Sequence, residues 1–330
     1  MRRYLVTGGA GFVGSHLCDR LLDDGHAVLC IDNLVTGASH NVAHHADNAH
    51  FVFCYHDVVR PLGAGDVNGI DGIFHLACPA SPAHYQQAPI STTQTAVVGT
   101  LNLLDMARAQ GIPIVHASTS EVYGDPREHP QTEAYWGHVN PTGPRACYDE
   151  GKRCAESLCF DYHRQHGVAV KVARIFNTYG PRMQLDDGRV VSNFIRQALQ
   201  GEPMTLYGDG QQTRSFCYVD DLVDGLVRLM NTPDDITGPM NLGNPGEVSM
   251  HYLAHLIGER MPARPPLRYL PLPTDDPRRR CPDIQRARKQ LGWQPRISLE
   301  AGLNLTLNAF QKRLAHHLRA SVLDHSPQPD

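Results

Sequence analysis

Lysine is scarce in this chain of 330 residues; it stands at positions 152, 171, 289 and 312 and nowhere else. The formal net charge is -4. With no basic excess and no polybasic run, neither nucleic acid nor an anionic membrane surface is expected as a partner. No apolar run reaches the roughly 20 residues that span a bilayer. Met1-Arg2-Arg3 leads directly into the strand-like Tyr4-Leu5-Val6-Thr7, so no secretory leader is expected. The nine cysteines form no Cys-x-x-Cys pair and are odd in number. They read as reduced thiols of a cytoplasmic protein. Histidine is plentiful, at 19. His44-His45 and His316-His317 could suggest a metal, but no acidic or Cys partner stands at a ligand spacing. Surface histidines and no metal are therefore the expectation. No internal repeat or low-complexity block is present. The 41% of hydrophobic residues suffices for a substantial core, in one large domain or two smaller ones.

The first half alternates strand and helix signals, which predicts a parallel sheet with helices on both faces. Strands are expected at Tyr4–Thr7, Ala27–Asp32, Phe51–His56, Gly72–Leu76, Ile114–Ser118 and Ala169–Ile175, with apolar runs suited to burial on both sides. Helices are expected at Phe12–Asp23, Ile90–Ala109 and Tyr148–His166. After Phe176 the pattern turns irregular and rich in Gly and Pro, with shorter helices at Val190–Leu199, Val219–Met230, Met250–Arg260, Ile284–Leu291 and Leu299–Leu318. The fold class read from this is α/β: a doubly wound sheet over residues 1–176 and a smaller C-terminal α/β lobe over 177–318. Some of the later elements are free to return to the first domain. Residues 319–330 read as a frayed tail.

Thr7-Gly8-Gly9-Ala10-Gly11-Phe12-Val13-Gly14 lies between the first strand and the first helix. The spacing of Gly8, Gly11 and Gly14 permits a tight turn and close approach to a pyrophosphate at a helix N-terminus. Asp32 ends the second strand, where a carboxylate can accept from both ribose hydroxyls and repel a 2′-phosphate. Nothing from Asn33 to Gly37 is basic. NAD is therefore expected over NADP, on a Rossmann-type domain. An Asp that merely ends a strand is the plainer alternative.

Tyr148 and Lys152 are four residues apart in a helical stretch, hence on one face. An ammonium there can favour the phenolate, a base able to take a proton from a sugar hydroxyl. Cys147, beside them, faces another way and reads as structural. Thr119 follows the strand Ile114–Ser118, whose C-terminal end faces the cofactor crevice in a parallel sheet, so it could hydrogen-bond the same sugar oxygen. It could equally satisfy only the backbone at the strand end.

The glycine triplet, Thr119 and Tyr148-x-x-x-Lys152 together resemble the extended short-chain dehydrogenase/reductase family, over Tyr4 to about Phe310. Within it, longer blocks resemble the UDP-glucuronate decarboxylases. These include His75-Leu76-Ala77-Cys78-Pro79-Ala80-Ser81-Pro82, Ser118-Thr119-Ser120-Glu121-Val122-Tyr123-Gly124-Asp125-Pro126, Cys147-Tyr148-Asp149-Glu150-Gly151-Lys152-Arg153, Arg174-Ile175-Phe176-Asn177-Thr178-Tyr179-Gly180-Pro181-Arg182-Met183 and Asp187-Gly188-Arg189-Val190-Val191-Ser192-Asn193-Phe194. Arg280-Cys281-Pro282-Asp283-Ile284 is similar to the segment carrying that family's catalytic arginine.

The resemblance implies oxidation of UDP-glucuronate at carbon 4, loss of carbon dioxide from the β-keto acid, protonation at carbon 5 and reduction to UDP-xylose, with NAD regenerated. Tyr148 would be the base, tuned by Lys152. Tyr148 and Thr119 would stabilise the enolate. Glu121 and Arg280 would share substrate orientation, water positioning and protonation, while Ser120 cannot supply the acid that 4,6-dehydratases use at this point. Cofactor contacts are implied for Gly8, Gly11, Phe12, Val13, Gly14, Asp32, Asn33, Thr36, Gly37, Asp57, Val58, Leu76, Cys78, Thr95, Ala117, Tyr148, Lys152 and Thr178. Substrate contacts are implied for Gln94, Asn102, Asn177, Arg189, Val190, Phe194 and Arg214. Gln94 stands where the family usually has a substrate-contacting Lys, and Cys78 where it usually has Ser. A homodimer built from the helices Ile90–Ala109 and Tyr148–His166 is also implied. The competing readings are another NAD-retaining sugar-nucleotide enzyme, a 4-epimerase or 4,6-dehydratase, and a catalytically idle NAD-binding regulatory protein. The intact Thr119, Tyr148 and Lys152 argue against the last.

Overall fold

Alternate residues of the first strand feed two different cores. The computed structural model describes residues 1–63, 67–272 and 279–323, with side chains through residue 315. In it β1 (Arg3–Thr7) sends Tyr4 and Val6 into one apolar cluster and Leu5 into another. The strand period of two dictates this. In β2 (Ala27–Asp32), Val28 and Cys30 join the first cluster while Leu29 and Ile31 join the second. The sheet continues through β3 (Phe51–Tyr55), β4 (Gly72–His75), β5 (Ile114–Thr119) and β6 (Val170–Ile175). A seventh strand, Met240–Leu242, returns from the second half of the chain to pair with β6. The order across the sheet is Met240–Leu242, β6, β5, β4, β1, β2, β3, and every pairing is parallel.

The first cluster is covered by α1 (Phe12–Asp23), through Leu17 and Leu21. The second is covered from the far side. There the chain passes through α2 (Pro82–Tyr85), α3 (Pro89–Gln94), a π turn at Thr95–Gly99, α4 (Thr100–Gln110) and α5 (Ala146–His166). Leu103 and Leu104 of α4 and Cys159 of α5 are buried in that second cluster. Each such leucine is worth about 1.5–3 kcal/mol by transfer from water. Strand order reverses between β1 and β4, which opens a crevice at the C-terminal ends of these strands.

The lobe after β6 contains α6 (Val190–Leu199), α7 (Val219–Met230) and the helices Met250–Gly258, Gln285–Leu291 and Leu299–Leu323. Thr178–Tyr179 pairs with Cys217–Tyr218 and Met204–Tyr207 with Leu267–Leu270, both parallel; Thr213–Ser215 pairs antiparallel with Glu247–Ser249. α7 packs against α1, so it closes the first cluster of the sheet domain although it belongs to the second half of the sequence.

Three expectations change. The helix expected over Ile90–Ala109 is interrupted by the π turn, where a Cβ on Gly99 would come 2.7 Å from Val58 Cγ2. β3 is not buried on both faces: Val52, Phe53 and Tyr55 are exposed, because β3 ends the sheet and has one neighbour. The last helix continues through Leu323, past the point where fraying was expected; residues 324–330 lie outside the described residues.

Candidate active site

Two connected cavities occupy the crevice. The first lies over the β1–α1 turn and is lined by Gly8, Gly11, Phe12, Val13 and Gly14, with Asp32, Asn33 and Thr36 beyond them. Here the glycines answer to contact distances. A Cβ on Gly14 would lie 2.1 Å from Gly8 O, and one on Gly8, whose φ is +70°, would lie 2.8 Å from Ala77 N. Asp32 is buried; its Oδ1 accepts from Leu34 N at 2.8 Å and its Oδ2 from Ala10 N at 3.0 Å. Burial pushes its carboxyl pKa up, against the opposing pull of those backbone donors. Gly37 packs against this carboxylate, where a Cβ would meet both oxygens at 2.8 Å. A turn without side chains and a fixed carboxylate at the end of β2 suit a dinucleotide with free ribose hydroxyls.

Val58, Leu76, Cys78 and Thr95 complete this wall. Asp57 does not line it. Its carboxylate accepts from Asn33 Nδ2 at 3.1 Å and Val59 N at 3.0 Å, so it shapes the wall from behind. Arg182 and Gln184, from the second half of the chain, also line the cavity and were not among the expected cofactor contacts. Gln184 Nε2 donates to Thr36 O at 2.8 Å, and Arg182 Nη2 donates to Asp19 Oδ2 at 2.5 Å.

The second cavity, of about 440 Å³, shares Val13, Leu76, Cys78 and Arg189 with the first. It brings together Ala117, Thr119, Ser120, Glu121, Tyr148, Lys152, Asn177, Thr178, Arg189, Val190, Phe194, Arg214 and Arg280. β5 delivers Thr119 to its C-terminal end, and the short 3-10 turn Ser120–Tyr123 then turns Ser120 and Glu121 inward. Thr119 Oγ1 accepts from Glu121 N at 3.2 Å and lines the same cavity as Tyr148. Lys152 Nζ donates to Ala117 O at 2.8 Å. Burial raises the Tyr148 pKa well above that of a free phenol; the Thr119 hydroxyl offsets part of this. Desolvation thus works against the phenolate that a base at this position requires. Tyr85 of α2 stacks parallel on Tyr148, ring centroids 5.1 Å apart, a neighbour without a signal in the sequence.

Glu121 is held from two sides. Arg280 Nη1 lies 2.7 Å from Oε1 and Nη2 donates to Oε2 at 2.8 Å, while Arg145 Nη2 donates to Oε2 at 2.7 Å. Burial raises the Glu121 pKa, but Arg280 and Arg145 more than reverse this and hold it below the usual carboxylate range. Arg280 reaches the site because Cys281 is clasped to Gln131 by backbone and side-chain bonds of 2.8 Å. Ser215 Oγ donates to Arg280 O at 2.8 Å. Behind this layer, Arg174 pairs with Glu156 at 2.7 Å, and Ser118 Oγ donates to Glu156 Oε1 at 2.5 Å, which braces β5 and β6 against α5.

Two expected substrate contacts lie elsewhere. Gln94 is exposed and lines neither cavity; the face of α3 toward the cofactor crevice carries Ser91, and the crevice-facing residue after it is Thr95. Gln94 is one residue, about 100°, out of phase with them. The Asn102 amide donates to Val58 O at 2.9 Å and Val59 O at 3.0 Å and so ties α4 to the segment after β3. The histidines also differ from expectation. His75 is buried between Thr7 Oγ1, at 2.8 Å, and Thr100 Oγ1, at 3.1 Å, and burial lowers its pKa to about 3. His44 and His45 do find an acidic partner, Asp19 Oδ1 at 2.9 and 2.7 Å, but from a distant turn of α1 that spacing could not reveal. Arg182 already pairs with that carboxylate.

The sequence model of the NAD dependent epimerase/dehydratase family matches residues 4–243. The chain is 55% identical over 328 residues to UDP-glucuronic acid decarboxylase 1 of Xenopus tropicalis, covering 99% of this chain and 76% of that protein. It is 55% identical over 312 residues to UDP-glucuronic acid decarboxylase 2 of Arabidopsis thaliana, covering 94% and 69%. Among solved structures, UDP-glucuronic acid 4-epimerase from Bacillus cereus, in complex with UDP-glucuronic acid and NAD, superposes with a TM-score of 0.84. The identity is 28%, over 94% of this chain and 99% of that one.

Proposed function

Since this chain belongs to the NAD dependent epimerase/dehydratase family, we propose that it converts UDP-glucuronate to UDP-xylose and carbon dioxide through a 4-keto intermediate. The carrying observation is Glu121, held by Arg145 and Arg280 in a cavity that also holds Tyr148 and Thr119 and opens into the glycine-lined cofactor crevice. When bound, NAD supplies the two-electron oxidation at carbon 4 and its reversal. Residues 1–176 form the cofactor domain in this reading and 177–318 the sugar-nucleotide lobe, with the strand Met240–Leu242 and α7 returned to the first.

Tyr148 takes the proton from the carbon 4 hydroxyl as the phenolate, which Lys152 and the positive charge that bound NAD would bring favour against burial, and Thr119 hydrogen-bonds the same oxygen. Lys152, held by Ala117 O, offers positive charge one helical turn from Tyr148. The ketone so formed is β to the carboxylate on carbon 5. When the carbon–carbon bond to the carboxylate breaks, its electron pair becomes an enolate on oxygen 4, where Tyr148 and Thr119 stabilise the charge. Carbon 5 then takes a proton from a group ordered by Glu121 and Arg280, and Tyr148 returns its proton as the ketone is reduced. Arg214 and Arg189, cationic and on the cavity wall, neutralise the pyrophosphate. Val190 and Phe194 pack against the nucleotide, and Asn177 orients the sugar. Ser120 is buried on the wall and carries no acid, which disfavours elimination of a hydroxyl as in the 4,6-dehydratases.

Homodimerisation is supported by the exposed apolar residues Ile90, Val98 and Leu101 along α3, the π turn and α4. Nine free cysteines support a cytoplasmic protein, and no helix among the described residues is long and apolar enough to cross a membrane. The test is incubation of the purified protein and NAD with UDP-glucuronate, with products separated by mass. A UDP-pentose supports the proposal. Conversion to an isomer of unchanged mass, or turnover of UDP-glucose instead, contradicts it.

A further inference from the structure

Asp149 follows Tyr148 on α5 and lines neither cavity. It is 6% exposed. Its Oδ1 accepts no hydrogen bond from any described residue, and its Oδ2 lies 4.0 Å from Arg145 Nε. Arg145 in turn donates to Glu121, which Arg280 grips at two points. Two carboxyls and two guanidiniums thus meet in one cluster, and its two acids are unequally provided for. Glu121 has short contacts to both guanidiniums and stays ionised. Asp149 has one long contact and an orphan oxygen. Burial first, and then the charge of Glu121, raises its pKa to about 7.

Other groups also face Asp149. Glu150 on the same helix pairs with Arg153 at 3.5 Å. Tyr85 from α2 and Cys147 from α5 are both raised by burial and stay neutral. Arg214 acts on the cluster through Glu121. Protonation of Asp149 removes one negative charge from beside Arg145. Arg145, Arg280 and Glu121 line the cavity beside Lys152, Arg189 and Arg214, so that single charge adds to the field an entering anion meets.

The geometry points to Asp149 as a positioning residue that takes up a proton when a substrate carboxylate enters, so that no buried carboxylate behind Arg145 opposes the incoming anion. The inference rests on the acidic sugar substrate proposed above. The thermodynamic reason is linkage: each added negative charge near Asp149 favours its protonated form, and that proton then favours the anion equally.

The test is initial-rate kinetics on the NAD-saturated enzyme from about pH 6 to about pH 9, with UDP-glucose as a competitive inhibitor lacking the carboxylate. The two sugar nucleotides share the same uracil and pyrophosphate, so any titration of those groups affects both alike. The expected result is a KM for UDP-glucuronate that rises above neutrality, by up to about tenfold per pH unit. The inhibition constant of UDP-glucose should change less than about twofold over the same range. Asp149→Asn, neutral at every pH, should flatten the KM profile and give a lower KM than the parent enzyme at high pH. The parent profile alone decides the matter if that variant does not fold. Turnover of UDP-glucuronate with a flat KM, or the same slope in the variant, overturns the inference and leaves the substrate assignment standing. Binding of UDP-glucose without any binding of UDP-glucuronate overturns both.

Discussion

Arg280 and Glu121, 159 residues apart, meet in a two-point ion pair with both N–O distances under 3 Å. A guanidinium matches a carboxylate in this way and an ammonium does not. Arg280→Lys should keep the charge but lose the second contact. The expected outcome is a fall in kcat/KM for UDP-glucuronate of about 10²–10³, with NAD affinity unchanged; a transition-state loss of about 3–4 kcal/mol is typical for one fixed polar contact. Steady-state kinetics and NAD titration of the variant check this, and an unchanged kcat/KM would detach the pair from the chemistry.

Asp32 sets the cofactor choice. Its carboxylate is fixed by Ala10 N and Leu34 N and stands against Gly37, where a Cβ would already crowd both oxygens. A 2′-phosphate would therefore meet a fixed like charge. NADP should bind at least about tenfold more weakly than NAD, and Asp32→Asn should narrow that ratio. Fluorescence titration with both cofactors measures it. Equal binding by the parent protein would remove this role from Asp32.

Gln94 is exposed on α3, away from both cavities. Gln94→Lys should leave the KM for UDP-glucuronate within about twofold of the parent value, since a solvent-exposed charge is largely screened by water and salt. A large drop in KM would mean that α3 turns toward the substrate during the reaction.

Asp149 makes a prediction for stability as well. Its folded pKa, about 7, lies above the ordinary 3.8. Its contribution is therefore fully present below the ordinary value and is lost as pH rises through about 7. Asp149→Asn stays neutral, so the Tm of the variant relative to the parent should be more favourable near pH 8 than near pH 5. Thermal unfolding at both pH values checks the sign, and a difference independent of pH contradicts the burial argument.

The sheet domain was legible because its signals are local. Leu5 between Tyr4 and Val6 states a period of two, and the glycines from Gly8 to Gly14 occupy one turn. Met240–Leu242 has three residues, too few for a period, so its return to β6 could not be read. Within the site, Tyr148 and Lys152 declare themselves by helical spacing. Arg145 lies three residues before Tyr148, a spacing that offered a signal, but its partner Glu121 is set by the turn after β5. Gln94 and Asn102 show the opposite failure. A position in a motif does not report which way a helix is rotated, and one residue out of phase moved Gln94 to the surface. Asp57 and Asp19 differ again, because their partners come from elements brought together by the sheet.

The central claim is that oxidation and reduction occur within one catalytic cycle, with carboxyl loss between them. Carbon dioxide release and UDP-glucuronate consumption measured together, at NAD well below the substrate concentration, test it most directly. The account predicts one carbon dioxide per UDP-glucuronate consumed, many turnovers per NAD, and no accumulation of NADH. Turnover that stops when NADH equals the NAD supplied, or consumption without carbon dioxide, would contradict it.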